Sequence, residues 1–361
     1  MPFDDHRFSA TPPGPASPGA APAARNRRRV ARWLLAMCAM ILVMTGLGGA
    51  TRLSGSGLSI MEWAPIMGTL PPLSEAEWRR LYALYQSVPQ YDLVNKGFGL
   101  DGFKQIFWLE WAHRFWGRMI GLAFAIPFAW LAWRGAIERR LLPRLAVLFV
   151  LGGAQGAVGW FMVASGFFPD ATTVSVYRLV FHLGFALLLY GVLLWTALSL
   201  LRPDAAATPP ALRRLAGISF ALIVLTILAG GFVAGLRAGL TYNTFPLMDG
   251  RLIPAGYADL SPALHNLTEN IAAVQFNHRL LATLTSVLAL ATGLYWLPRL
   301  PPGATARALF ALALAVLVQY ALGITTLLWV VPLALGTAHQ VAAVLVLTAA
   351  LMLLHAVRKP R

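Results

Sequence analysis

The sequence predicts an all-α integral membrane protein whose eight transmembrane helices form two pseudo-symmetric four-helix bundles. Three observations predict it: long apolar runs recur along the whole chain, basic residues fall in alternate segments between them, and one series of short motifs occurs twice in the same order. Of 361 residues, 58% are hydrophobic and 12% charged, against about 25% charged in a soluble domain. A run of roughly 20 apolar residues at 1.5 Å rise crosses a hydrocarbon core of about 30 Å.

The runs place spans at Arg32–Thr51, Phe107–Trp133, Leu142–Ala164, Thr173–Leu200, Leu212–Gly235, Ala273–Leu297, Thr305–Val330 and Pro332–Val357. Residues 1–30 read as a tail, and 1–24, rich in Pro, Ala and Gly without apolar period, as disordered. Residues 31–201 form a first half, 202–211 a linker, 212–357 a second half and 358–361 a short tail.

The net charge of +15 does not indicate nucleic-acid binding, because the arginines cluster in segments of one side. Arg25, Arg27, Arg28, Arg29 and Arg32 precede span one. Arg134, Arg139, Arg140 and Arg144 separate spans two and three, Arg202, Arg213 and Arg214 spans four and five, and Arg299 and Arg307 spans six and seven, while Arg358, Lys359 and Arg361 follow span eight. This bias predicts an inner-membrane protein with both termini cytoplasmic. The single cysteine, Cys38, excludes an intramolecular disulfide and a thiolate metal site.

The two long connections, about 52–106 and 236–272, then face outward. In the first, Ser74-Glu75-Ala76-Glu77 is a capping box opening a short helix through about Ser87. Its Trp78, Leu81, Tyr82 and Tyr85 suit either the membrane surface or packing against the bundle.

The repeat pairs Gly48-Gly49 with Gly230-Gly231, Glu62-Trp63-Ala64-Pro65 with Asn243-Thr244-Phe245-Pro246, and Glu110-Trp111-Ala112-His113-Arg114 with Gln275-Phe276-Asn277-His278-Arg279. It also pairs Gln155–Gly159 with Gln319–Gly323, and His182 with His339. With four spans per half, the repeats run parallel about an axis along the membrane normal.

His113, His182, His278 and His339 fall one on each even-numbered span, about 6–10 residues in, or roughly 10–15 Å. Polar groups at that depth are costly and mark functional sites. Two imidazoles on facing helices can supply the axial ligands of a haem iron. Another metal, or a non-redox hydrogen-bonding role, is the alternative. Glu110 lies one turn from His113, where the second half has Gln275, which cannot ionise. A carboxylate there can move protons or stabilise positive charge; the alternative is a salt bridge to Arg114. Arg114, Arg279, Arg52 and Arg237 are candidate partners of haem propionates. The glycine pairs, Gly152-Gly153 included, allow close helix approach or room for a planar ring. Gln155 and Gln319 read as bonds between helices, and Trp63, Trp111 and Trp116 as candidate pocket walls.

These residues resemble those of the haem A synthase family. The matching pieces are Gly49-Ala50-Thr51-Arg52-Leu53-Ser54-Gly55-Ser56-Gly57-Leu58-Ser59, Trp63-Ala64-Pro65, Gly68-Thr69-Leu70-Pro71-Pro72, Glu110-Trp111-Ala112-His113-Arg114, Tyr242-Asn243-Thr244-Phe245-Pro246-Leu247-Met248 and Asn277-His278-Arg279. The resemblance implies oxidation of the ring D methyl of haem O to a formyl group, giving haem A for terminal oxidases. It implies haem b on His278 and His339, substrate haem on His113 and His182, and an essential glutamate at Glu110. It points to haem O synthase, oxidase assembly factors, an electron acceptor not named by the sequence and a second copy of the chain as candidate partners. Some bacterial members carry a cysteine pair in the first outer connection. This chain has none there, which places it with the cysteine-free branch and excludes a dithiol step. The competing readings are a bis-histidine membrane cytochrome b for electron transfer and a haem transporter or chaperone.

Overall fold

The computed structural model describes residues 20–65, 67–202 and 208–359. Most of the expected disordered tail, half of the linker and the last two residues lie outside them. The described chain is helical, with no strand among the described residues beyond one isolated bridge between Met248 and Arg251. Eight helices are long and apolar enough to cross a membrane: α1 (Ala20–Leu53), α4 (Gly99–Trp133), α5 (Leu142–Val163), α6 (Val176–Leu201), α7 (Pro210–Gly235), α8 (Ile271–Trp296), α9 (Ala304–Leu328) and α10 (Leu333–Ala356). Two short helices, α2 (Glu75–Tyr85) and α3 (Pro89–Val94), lie in the first long connection.

Two boundaries differ from expectation. The first helix begins at Ala20, so the basic cluster expected in the tail is helical; alanine and arginine are strong helix formers, and the chain from Ala20 to Arg32 is mostly these two. The second span begins at Gly99, about two turns before Phe107. This added stretch is held by packing: Trp78 and Tyr85 of α2, both buried, meet Phe103 and Phe107 in edge-on and stacked ring contacts. The packing reading of α2 is borne out: it packs against the bundle. Ser74 caps it by accepting from the Glu77 N–H at 3.2 Å.

In sequence order the spanning helices touch in a closed cycle within each half: α1 with α4, α4 with α5, α5 with α6 and α6 with α1, then α7 with α8, α8 with α9, α9 with α10 and α10 with α7. Helices α1, α6, α7 and α10 join the halves. The main close-packed core sits at one end, and a smaller buried cluster of Leu58, Trp78, Tyr85, Phe103 and Phe107 sits at the other. On α1 the main core spans Val30 to Cys38, on α4 Phe124 and Leu131, on α6 Leu189 to Leu198, and on α10 Val344 to Leu353. The histidines lie toward the opposite end of the same helices, where the surrounding side chains from Trp111 to Ile120 and from Phe276 to Arg279 are only half-buried.

Candidate functional site

The structure brings the four histidines together two by two. His113 on α4 lies close enough to His182 on α6 for their charges to interact, and His339 on α10 stands in the same relation to His278 on α8. All four rings are half-buried. No cluster of three or more His, Cys, Asp or Glu able to hold a metal occurs among the described residues, so the rings do not form one four-histidine centre.

Each ring lies against a glycine of a neighbouring helix. A Cβ at Gly48 would stand 3.1 Å from His113 Nε2, at Gly159 3.0 Å from His182 Cε1, at Gly230 3.0 Å from His278 Cε1, and at Gly323 2.9 Å from His339 Cε1. Real Cβ atoms rarely approach so near, so glycine is what lets the helices close around the imidazoles. The second glycine of each expected pair faces the other half instead: Gly49 meets Gln340, and Gly231 meets Val180. Gly152 and Gly153 do neither; they are exposed, with nothing within 4 Å. Close helix approach is therefore corrected for that pair.

The ring nitrogens have partners of two kinds. His278 Nδ1 lies 3.1 Å from the Thr226 carbonyl oxygen. A carbonyl only accepts, so Nδ1 carries the proton and Nε2 keeps its lone pair. Across the α5–α6 and α9–α10 contacts, the Gln155 amide lies 3.1 Å from His182 Nδ1 and the Gln319 amide 3.2 Å from His339 Nδ1. These are the interhelical bonds expected of the two glutamines.

Above the rings, polar anchors hold the long connections. Glu110 is 2% exposed. Its Oε2 accepts from the Ser59 hydroxyl at 2.7 Å and the Ile60 N–H at 2.9 Å, and its Oε1 pairs with Arg114 at 2.6 Å. Arg114 also donates to the Ile60 and Glu62 carbonyls, at 2.5 and 2.8 Å. All three of its nitrogens are engaged within the protein. In the second half, Gln275 Nε2 donates to the carbonyls of Ala238 and Thr241, and its Oε1 accepts from Arg279 at 3.1 Å. Arg279 donates in turn to the carbonyls of Tyr242 and Thr244. Arg52 donates to the Ala234 carbonyl at 2.7 Å across the halves, near the exposed Arg237, with its own Nε buried and unpartnered among the described residues.

Of the expected wall residues, Trp63 stacks on Trp160 at 6.0 Å, and Arg114 lies over the same Trp160 ring at 5.6 Å. Trp116 donates to the Met40 carbonyl, and Trp111 stacks on Phe115. Trp160 and Thr226 were not singled out from sequence, and Ser59 only as the end of a matching motif; Trp160 could have been found, since it follows Gly159 directly.

Fold and site define a class: a polytopic helical membrane protein with four histidines on alternate spanning helices, each seated against a glycine of a neighbouring helix. The model of the COX15-CtaA family, described as cytochrome oxidase assembly protein, matches residues 31–351, and the chain belongs to that family. It is 62% identical over 93% of its length, and 89% of the relative's, to a protein named heme A synthase from Granulibacter bethesdensis. It is 47% identical to one of that name from Parvibaculum lavamentivorans, covering 92% of this chain and 96% of the relative. A third, from Azorhizobium caulinodans, is 50% identical over 92% of this chain and 95% of the relative.

Proposed function

We propose that this protein is a haem A synthase, an oxidoreductase that converts the ring D methyl of haem O into the formyl group of haem A. The observation that carries the reading is the pairing of four imidazoles on alternate helices, each seated on a glycine, in a half-buried zone beyond the close-packed core of the spanning helices.

The residues fit haem. His278 presents Nε2 unprotonated, and two buried glutamine oxygens beside His182 and His339 lack partners among the described residues. His278 and His339 in residues 212–357 would hold haem b, and His113 and His182 in residues 31–201 the substrate haem. Bound haem b supplies one-electron redox chemistry. Conversion of methyl to formyl replaces two C–H bonds with C=O; with the oxygen taken from water it balances as R–CH3 + H2O giving R–CHO, four protons and four electrons, and the electrons leave to an acceptor outside the chain. Each histidine pair would hold one of the two haems. Arg52 and Arg237 offer cations for propionates, with Arg279 contributing its buried, unpartnered Nε. Arg114 and Glu110 close the first connection over His113, and Glu110 is the one carboxylate within a helical turn of a paired histidine. We place it as the group that holds or moves a proton beside the substrate. The arginine distribution supports an inner-membrane location with both termini cytoplasmic. Candidate partners are haem O synthase, oxidase assembly factors and a second copy of the chain.

The test is expression with a haem O supply, followed by extraction and chromatography of the bound haems. Haem B together with haem O or haem A is the expected result. Haem B alone, with no conversion, would leave the electron-transfer cytochrome as the better reading.

A further inference from the structure

The two halves differ beside their histidines. In the first half a groove of about 350 Å³ runs between α5 and α6, a size within the roughly 300–1,000 Å³ of small-molecule sites. Val147 and Leu151 on α5 and Leu188 and Val192 on α6 form its walls. Val147 and Leu188 are exposed, while Leu148 and Leu189 beneath them belong to the buried core. Walls and floor are apolar, so the groove suits a hydrocarbon chain and not a polar ligand.

The groove starts beside the first pair of imidazoles. Leu151 stands one turn from Gln155 on the same face of α5, and the Gln155 amide lies 3.1 Å from His182. Leu188 lies six residues past His182 on α6, about 9 Å along the helix. From Leu151 the groove continues for about 10 Å to Arg144, at the arginine-rich end of the bundle.

The matching seam of the second half is filled. In register with Gln319, the places of Arg144, Val147 and Leu151 fall to Ala308, Ala311 and Ala315. Three alanines let α9 lie close to α10. Ala308 is buried where Arg144 is exposed, and Ala349, in the place of Val192, is buried with Leu312 and Val346 in the second core.

This difference matches the two haems assigned above. Haem O carries a hydroxyethylfarnesyl chain on ring A, where haem B has a vinyl group. The propionates stand on the opposite edge of the macrocycle, so a haem whose propionates meet Arg52 at the outer end of α1 turns ring A inward. The chain cannot run straight on, because the bundle there is close-packed around Phe124 and Leu131 on α4 and Leu189 to Leu198 on α6. It has to leave sideways. On α5 only Leu145 and Leu148 are buried, which makes this helix the one beside which a chain can pass.

We propose that the α5–α6 groove is the subsite for the isoprenoid chain of haem O and distinguishes the substrate from haem B. The inference rests on the haem A synthase reading and on the assignment of His113 and His182 to the substrate.

The test uses full-length protein purified after expression with a haem O supply, and reads haem O plus haem A per resident haem B. Val147→Trp and Leu188→Trp fill the groove from exposed positions. Each is expected to lower that ratio about tenfold, the effect of losing a few buried methylene groups, with haem B content and spectrum as in the parent. Leu345→Trp, at the place of Leu188 in the second half, is expected to change neither. The occupant is identified with p-benzoylphenylalanine at 147 or 188, where illumination should give adducts of haem O or haem A mass. Adducts of phospholipid alone, or an unchanged ratio in both groove variants, would overturn the inference. If a tryptophan variant loses haem B as well, the photoadduct decides. Parent protein carrying haem B but neither haem O nor haem A would instead defeat the synthase reading, and the inference with it.

Discussion

Glu110 and Gln275 hold the same post in the two halves: each stands one turn before a paired histidine, accepts from the arginine four residues on, and anchors the backbone of a long connection. Only Glu110 can ionise. The partners at the far oxygen differ, however: Glu110 Oε2 accepts from the Ser59 hydroxyl and the Ile60 N–H, whereas Gln275 Nε2 donates to two carbonyls, so Glu110→Gln removes the charge and also sets an amide NH2 against the Ile60 N–H.

Glu110→Gln keeps an oxygen for Arg114 and loses the acceptor for Ile60 N–H; it should fold with a loosened first connection, bind haem and lose formyl product by about 10²- to 10⁴-fold, the range of a lost general acid or base. Glu110→Ala should be worse for stability, because it strands the partly buried Arg114; removing one member of a buried ion pair costs about 3–5 kcal/mol. The two variants are compared by haem chromatography and thermal unfolding in detergent. Undiminished haem A from Glu110→Gln would make Glu110 an anchor only.

The two histidine pairs should be separable. His278→Met should alter the absorption spectrum of the resident haem at once, since a thioether replaces an imidazole on the iron. His113→Met should leave that spectrum alone and stop haem O conversion. The readouts are reduced-minus-oxidised spectra and haem extraction on the same preparations; a changed resident spectrum in His113→Met would reverse the assignment of the halves.

Much of this arrangement is legible in the sequence because a membrane helix is a simple object. A 1.5 Å rise and an apolar run place His113, His182, His278 and His339 at one level before any coordinates are known. The Gly48-Gly49 and Gly230-Gly231 pairs are visible as a repeat, yet which glycine faces the ring and which faces the other half depends on helix rotation, and that is fixed by packing. The start of α4 at Gly99 is hidden for a related reason: its outer turns are stabilised by Trp78 and Tyr85 from elsewhere in the chain, not by lipid. The engagement of Glu110 by Ser59 and Ile60 comes from residues about 50 positions away, beyond the reach of local periodicity.

The first connection carries a second charged clamp, outside the membrane spans. Arg80 on α2 grips Glu62 through two bonds of 2.9 and 2.8 Å and Glu77 through two more. Its hydrogen bonds hold both carboxyls below the usual carboxylate range. A depressed carboxylate stabilises the fold above its ordinary range, and that contribution fades as pH falls through the lowered values. Because these groups are exposed, Arg80→Ala should cost only about 0.2–1 kcal/mol. Amide exchange over residues 60–65 should quicken modestly in Arg80→Ala at neutral pH and converge with the parent in acid; a gap that persists in acid would refute the clamp.

The sharpest structural test lies in glycines that carry no chemistry. Gly323→Ala puts a methyl group 2.9 Å from His339 Cε1, and Gly230→Ala puts one 3.0 Å from His278 Cε1. Neither ring is the free end of a flexible chain, since His339 is bonded to Gln319 and His278 to the Thr226 carbonyl. The rings must tilt or the helices part, at a cost of about 1–3 kcal/mol. Both substitutions should lower resident haem content and broaden or shift its spectrum. Gly152→Ala and Gly156→Ala sit on the same class of helix with nothing within 4 Å, and there the added methyl should leave haem unchanged and favour the helix by up to about 0.5–1 kcal/mol. Helix propensity alone predicts that all four alanines stabilise. A loss of haem confined to positions 230 and 323 would show that the space beside the imidazole, and not backbone freedom, is what glycine provides there.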